Sequence, residues 1–178
     1  MDFRTLDRDD KEEVARLFTS VFSSSEGVQE GRLIGSLASA LAARTDNKEI
    51  ICVGAIEDGS IIGAIFLTRL RFDEPVEAYM LSPVAVSAAH QGKGIGQAMI
   101  RFGLQELKKR SAALVVTYGD PAFYAKVGFE ALSEDVIQAP QPLSMPIGWL
   151  GQSLSGEVLP VLKSRPACVQ EFDNPEYW

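Results

Sequence analysis

Residues 91–97 read Gln91-Gly92-Lys93-Gly94-Ile95-Gly96-Gln97, and they join an apolar, strand-like stretch at 81–86 to a segment with helical periodicity. Glycines at alternate positions let the backbone approach a ligand closely. A helix that begins here leaves its first N–H groups without intrahelical acceptors. Those donors, together with the positive end of the helix dipole, favour an anion, most often a phosphate. Spacing then decides among phosphate loops. A dinucleotide fingerprint, G-x-G-x-x-G, fails because the position after Gly92 and Gly94 that should be glycine is Gln97, and Gly96 comes one residue early. A G-x-x-x-x-G-K-[ST] loop is absent. What remains is Gln-x-x-Gly-x-Gly, carried by Gln91, Gly94 and Gly96.

The flanks extend this pattern. Upstream, Leu81-Ser82-Pro83-Val84-Ala85-Val86 is apolar apart from one serine, and its proline suits a bulge or an edge, where no ladder donor is needed. Downstream, Ile95, Met99 and Phe102 follow the i, i+4, i+7 spacing of one helix face, extended by Ala98 and Leu107. Lys108, Lys109 and Arg110 close that segment, where cations complement a helix C-terminus. Residues 113–117 read as a short buried strand. Asp120-Pro121 then sets a good N-cap before a good first helical residue. The run that follows is Phe123-Tyr124-Ala125-Lys126-Val127-Gly128-Phe129.

In this order the segments resemble the GNAT superfamily of N-acetyltransferases, nearest its small bacterial members of the YhbS type. Residues 91–96 are similar to that family's acyl-CoA pyrophosphate loop, [QR]-x-x-G-x-[GA]. Residues 81–86 resemble its fourth strand, and 123–129 its [FL]-Y-x-x-x-G-F turn. The resemblance covers about residues 1–135, with its specific motifs in 81–129. It implies an α/β fold with a central mixed, mostly antiparallel sheet, splayed at the fourth strand and flanked by helices. It also implies acetyl-CoA as cosubstrate, bound by the backbone of Val84 and Val86 and by Gln91, Gly92, Lys93, Gly94, Ile95, Gly96 and Gln97. Tyr124 matches the position whose hydroxyl serves as general acid toward the departing thiolate. Glu77, on the strand leading to Val84, matches the place of a carboxylate base. His90, the single histidine, directly precedes the loop and is the weaker candidate for a base.

The rest of the chain fits one domain, residues 1–178, with a core of about 1–135 and a C-terminal extension of about 140–178 that Pro140, Pro142, Pro146, Pro160, Pro166 and Pro175 interrupt. Strand-like pieces recur in the extension near 147–150 and 157–162. Before the loop, residues 3–6 read as a strand, Asp9 and Asp10 lead an amphipathic helix with Val14, Leu17, Phe18 and Phe22 on one side, and 28–43 carry Leu33, Leu37 and Leu41. Residues 49–57 and 60–71 are strands around Asp58-Gly59, a hairpin signal, and 77–86 form the strand entering the loop.

Composition narrows the function classes. A net charge of −7 and a pI near 4.8 argue against a nucleic-acid partner and favour the approach of amines. No apolar run nears the ~18 residues of a membrane span. Cys52 and Cys168 are too few for a disulfide scaffold, so free thiols and a cytoplasmic location are expected. One histidine and scattered carboxylates give no metal site. The reading is an N-acetyltransferase acting on a primary amine of a small molecule or peptide, as a monomer or homodimer. The alternatives are a non-catalytic acyl-CoA-binding sensor or interaction module on the same fold, and a nucleotide switch, which would need a Mg²⁺ ligand set that the sequence lacks.

Overall fold

A computed structural model describes residues 1–178. Its strands are β1 (Asp2–Leu6), β2 (Ile50–Glu57), β3 (Ser60–Leu70), β4 (Ala78–Val86), β5 (Leu114–Tyr118), β6 (Glu130–Ala131) and β7 (Trp149–Ser153). They form one sheet in the order β1-β2-β3-β4-β5-β7-β6. β4 and β5 pair in parallel, whereas β1–β2, β5–β7 and β6–β7 are antiparallel, so the sheet is mixed as expected. The helices are α1 (Lys11–Glu26), α2 (Val28–Ala43), α3 (Ile95–Lys109) and α4 (Pro121–Ala125). α3 is the crossover that a parallel β4–β5 pair requires. No helix is long and apolar enough to cross a membrane.

The residues fall into two compact units, Met1–Leu67 with Pro83–Gly103 and Thr68–Ser82 with Leu104–Trp178. In the first, Asp7 and Asp10 make a reciprocal capping box ahead of α1: Asp7 accepts from the Asp9 N–H, and Asp10 accepts from the Asp7 N–H. Val14, Leu17 and Phe18 are buried, with Phe18 5.7 Å from Phe66 between ring centroids. α2 meets α1 through glycines; of its periodic leucines, Leu37 and Leu41 are buried and Leu33 is half-buried. A β-carbon on Gly31 would stand 1.8 Å from Ser23 Oγ, and one on Gly35 2.0 Å from Thr19 Oγ1. Asp58 and Gly59 both have positive φ, the backbone of a type I′ hairpin turn. In α3, Ile100 is fully buried beside Ile95 and Met99, whereas Phe102 is half-buried and stacks on Phe3 at 6.0 Å.

In the second unit the C-terminal segment supplies a strand. β7 lies between β5 and β6, with Leu114↔Ser153 through Tyr118↔Trp149 in register. Residues 157–162 carry no strand; Val158 and Val161 are exposed at 93% and 63%. The tail is fixed by polar ties instead. Glu74 accepts from the N–H groups of Lys163 and Ser164 and from Ser164 Oγ, and Arg71 bridges to Ala167. Trp149 and Trp178 are buried, and each indole donates to a backbone carbonyl, of Ile137 and Phe172 respectively. Both cysteines are free.

Candidate active site

In the first unit, β4 ends at Val86, a short 3-10 turn spans Ala88–His90, and the glycine loop leads into α3. Gly92 and Gly94 have φ of +76° and +77°. That left-handed backbone costs a residue with a side chain roughly 1–2 kcal/mol. A β-carbon at either position would meet no atom within 4 Å, so backbone shape, not crowding, selects glycine there. The space over the loop is open. The first bond of α3 runs from the Ala98 N–H to the Gly94 carbonyl at 3.0 Å. The N–H groups of Ile95, Gly96 and Gln97 therefore have no acceptor in the helix. Lys93 is exposed on the same loop, while Ile95 is buried.

Two side chains beside the loop brace it. Gln91 Nε2 donates to the Val86 carbonyl at 2.9 Å, tying the loop back to the end of β4. His90 bonds Ser87 Oγ through Nδ1 at 2.6 Å and Glu57 Oε2 through Nε2 at 2.9 Å. With both ring nitrogens engaged, the single histidine ties the turn to the last residue of β2. Val84 and Val86 are half-buried, and they alternate with buried Pro83 and Ala85.

In the second unit, the β4–β5 register runs from Ala78↔Leu114 to Leu81↔Thr117 and stops there, although β4 itself continues to Val86. Thr117, wholly buried, donates to the Leu81 carbonyl at 2.6 Å. Beyond β5, Asp120 caps α4 as its sequence indicated. Its Oδ1 accepts from the Ala122 N–H at 3.0 Å, and Pro121 takes the first helical position. Tyr124 is buried at 8% exposure, its ring edge-on to Phe123 and Phe129 at 5.0 and 5.6 Å. Burial pushes its hydroxyl pKa up and the Asp120 charge adds to this, while a hydrogen bond with Thr117 works against both. The phenol thus stays protonated at neutral pH, as a proton donor must.

Glu77 stands elsewhere. It precedes Ala78 at the start of β4, and its carbonyl accepts from the Ala113 N–H, just before β5. Tyr124 bonds Thr117, level with Leu81. Four residues at about 3.3 Å each put Glu77 roughly 13 Å away along the sheet. Its carboxylate pairs with Arg69, whose guanidinium also lies 5.5 Å over the Tyr79 ring. That bond draws the Glu77 pKa below the usual carboxylate range, which weakens it as a base.

Two contributors escaped the sequence reading. Thr117 is a hydroxyl hidden in an apolar strand, and nothing local marks its bond to Leu81. Gly119 has a fainter signal, a glycine directly after a strand and before the Asp-Pro cap. A β-carbon there would lie 2.7 Å from Tyr124 Cε2, so its absence makes room for the ring.

The family of acetyltransferase (GNAT) domains matches residues 2–132. The uncharacterized N-acetyltransferase YjhQ of Escherichia coli (strain K12) is 28% identical over 161 residues, covering 87% of this chain and 85% of YjhQ. YhbS of the same strain, also an uncharacterized N-acetyltransferase, is 32% identical over 79 residues, 44% of this chain and 47% of its own. Among solved structures, the fold matches YhbS from Escherichia coli in complex with CoA at a TM-score of 0.78 and 22% identity, covering 97% of this chain and 92% of that one. A GNAT family acetyltransferase from Brucella melitensis in complex with acetyl-CoA matches at 0.70 and 25% identity, over 97% of both chains. A chain matched by the GNAT domain over most of its length, and sharing its fold with these structures, belongs to the GNAT acetyltransferase family.

Proposed function

We propose that this chain moves the acetyl group of acetyl-CoA to a primary amine by direct attack on the thioester. The observation that carries the reading is the open glycine turn at the start of α3, with positive φ at Gly92 and Gly94 and three helix N–H groups lacking acceptors. In that turn the N–H groups of Ile95, Gly96 and Gln97 take the pyrophosphate, and Lys93 adds a positive charge. Gln91 serves by holding the loop to β4. The backbone of Val84 and Val86 holds the pantetheine arm and the thioester carbonyl. Support comes from the family and from the solved relatives that contain CoA or acetyl-CoA.

In the reaction the neutral amine attacks the carbonyl carbon, a C–N bond forms and the C–S bond breaks. The nitrogen gives up a proton to water and the sulfur gains one, leaving CoA as its thiol. Tyr124 donates to the sulfur as general acid. A thiol titrates near 8.5 and a buried tyrosine above about 10. Its hydroxyl therefore acts mainly as a hydrogen-bond donor to charge building on sulfur, and the proton it passes as the C–S bond breaks is replaced by solvent, which has taken the amine's proton. Glu77, tied to Arg69 and remote from Tyr124, keeps a structural place, and solvent takes the amine's proton.

Thiol release from acetyl-CoA against a panel of amines tests the reaction, and Tyr124→Phe tests the acid. The expected result is amine-dependent thiol release, a kcat on the order of 10²-fold lower in the variant, and an unchanged KM for acetyl-CoA. Because burial raises the Tyr124 pKa, the donor form persists as pH rises, and the wild-type kcat should show no tyrosine limb below about pH 10. Binding of acetyl-CoA with no release to any amine would move the chain to the non-catalytic sensor reading.

A further inference from the structure

The second unit contains a cavity of about 480 Å³ that the proposed chemistry leaves unassigned. It lies at the C-terminal end of β5 and includes Tyr118, Gly119, Asp120, Met145, Ile147 and Gly148 in its lining. Its size falls within the ~300–1,000 Å³ of small-molecule sites. Met145 and Ile147 are 64% and 73% exposed, large apolar side chains turned to solvent at a wall that nothing in the fold covers. The 144–148 segment that carries them is held in place. Tyr118 Oη accepts from the Met145 N–H at 2.6 Å and bonds Ser144 Oγ at 3.1 Å, and Gly148 and Gly119 pair through their backbones at 2.9 Å. The wall is therefore preformed.

One charge faces this apolar space. Asp120 uses Oδ1 to cap α4, and its other oxygen has no protein partner. The same residue begins the helical turn that ends at Tyr124, with the Tyr124 N–H bonded to the Asp120 carbonyl at 3.1 Å. Gly119, on the cavity wall, lies against the Cε2 side of the Tyr124 ring. The cavity wall thus borders the ring that carries the hydroxyl proposed to meet the sulfur.

We infer that this cavity receives the acceptor, and that the acceptor is a small primary amine with a single positive charge and an apolar body. This rests on the acetyl-transfer reading above. Asp120 draws in the ammonium and keeps an acceptor on the nitrogen as its proton leaves, while Met145 and Ile147 cover the apolar part. An amine with a carboxylate would meet Asp120 with like charge, and a short polar amine would leave the wall wet.

The test compares phenethylamine, ethanolamine and glutamate in the thiol-release assay, with Asp120→Asn and Ile147→Ser as variants. Asparagine caps a helix as well as aspartate, so the first variant removes charge and keeps α4. Phenethylamine should show a kcat/KM at least about tenfold above ethanolamine, with glutamate poorest. Asp120→Asn should raise the KM for phenethylamine about tenfold and leave that for acetyl-CoA alone. Ile147→Ser should raise it about fivefold, and more for phenethylamine than for ethanolamine. Equal use of the two neutral-bodied amines, or a phenethylamine KM in Asp120→Asn within twofold of wild type, would overturn the inference and leave acetyl transfer standing. If no amine releases thiol, acetyl transfer itself fails. Calorimetry then judges the cavity: phenethylamine binding lost in Asp120→Asn upholds it, and no binding to wild type overturns it.

Discussion

The turns after β4 and after β5 both depend on glycine, for opposite reasons. After β4, Gly92 and Gly94 sit at positive φ with nothing within 4 Å of an added β-carbon. After β5, Gly119 has no such backbone requirement, but a β-carbon would strike the buried Tyr124 ring at 2.7 Å. The first turn leaves room for something outside the protein, and the second leaves room for the protein's own side chain. On the proposed reading, the first binds the pyrophosphate and the second places the Tyr124 hydroxyl.

Substitution by alanine separates the two. Gly119→Ala overpacks a buried site, which costs about 1–3 kcal/mol. For a chain of this size, at about 2–4 °C per kcal/mol, that corresponds to a Tm lower by about 2–12 °C, read by differential scanning calorimetry, with kcat reduced as the Tyr124 ring shifts. A Tm unchanged by Gly119→Ala would erase the contrast.

Gly94→Ala should act in the reverse sense. With open space around it, its cost to stability is the left-handed backbone alone, about 1–2 kcal/mol. The stronger consequence is on CoA, whose Kd should rise about tenfold as the helix N–H groups lose their aim. Titration calorimetry reads this, and an unaltered Kd would remove the turn from cofactor binding.

Much of this contrast was legible in the sequence because it is local. Glycine spacing, the Asp120-Pro121 cap and the Asp58-Gly59 hairpin each announce a backbone conformation from adjacent residues. What escaped depends on partners distant in sequence. His90 reads only as a weak candidate for a base, and nothing local shows that Glu57, 33 residues earlier, takes its Nε2. Residues 157–162 carry an apolar pattern fit for a strand, but they form no ladder, with only the Leu162 N–H donating to the Val136 carbonyl at 2.8 Å, and Glu74 fastens the chain just beyond. The strand at 149–153 owes its place between β5 and β6 to pairing that local pattern does not encode. Glu77 shows the same limit. Its place in the sequence, leading toward Val84, matched a carboxylate base, and only the fold reveals Arg69 holding it and about 13 Å along the sheet separating it from the level of Tyr124.

The smallest expected effect concerns that carboxylate. Glu77→Gln should change kcat by less than about twofold, since loss of a general base would cost at least about 10²-fold. A large fall in kcat, with KM unchanged, would return Glu77 to the chemistry. The Arg69 pair holds the Glu77 pKa below its ordinary value, so its share of stability is present above the unfolded pKa and lost as pH falls through the folded one. Acid titration of wild type and Glu77→Gln should therefore differ at neutral pH and converge at the acid end.

The central claim is that the turn after β4 holds the pyrophosphate through its backbone. Amide ¹H–¹⁵N spectra recorded during a CoA titration test it without any substitution. The account predicts large, saturable shifts at Ile95, Gly96 and Gln97, with Gly92 and Gly94 following and β1 unmoved. Saturating CoA that leaves those amides in place while resonances elsewhere shift would contradict it.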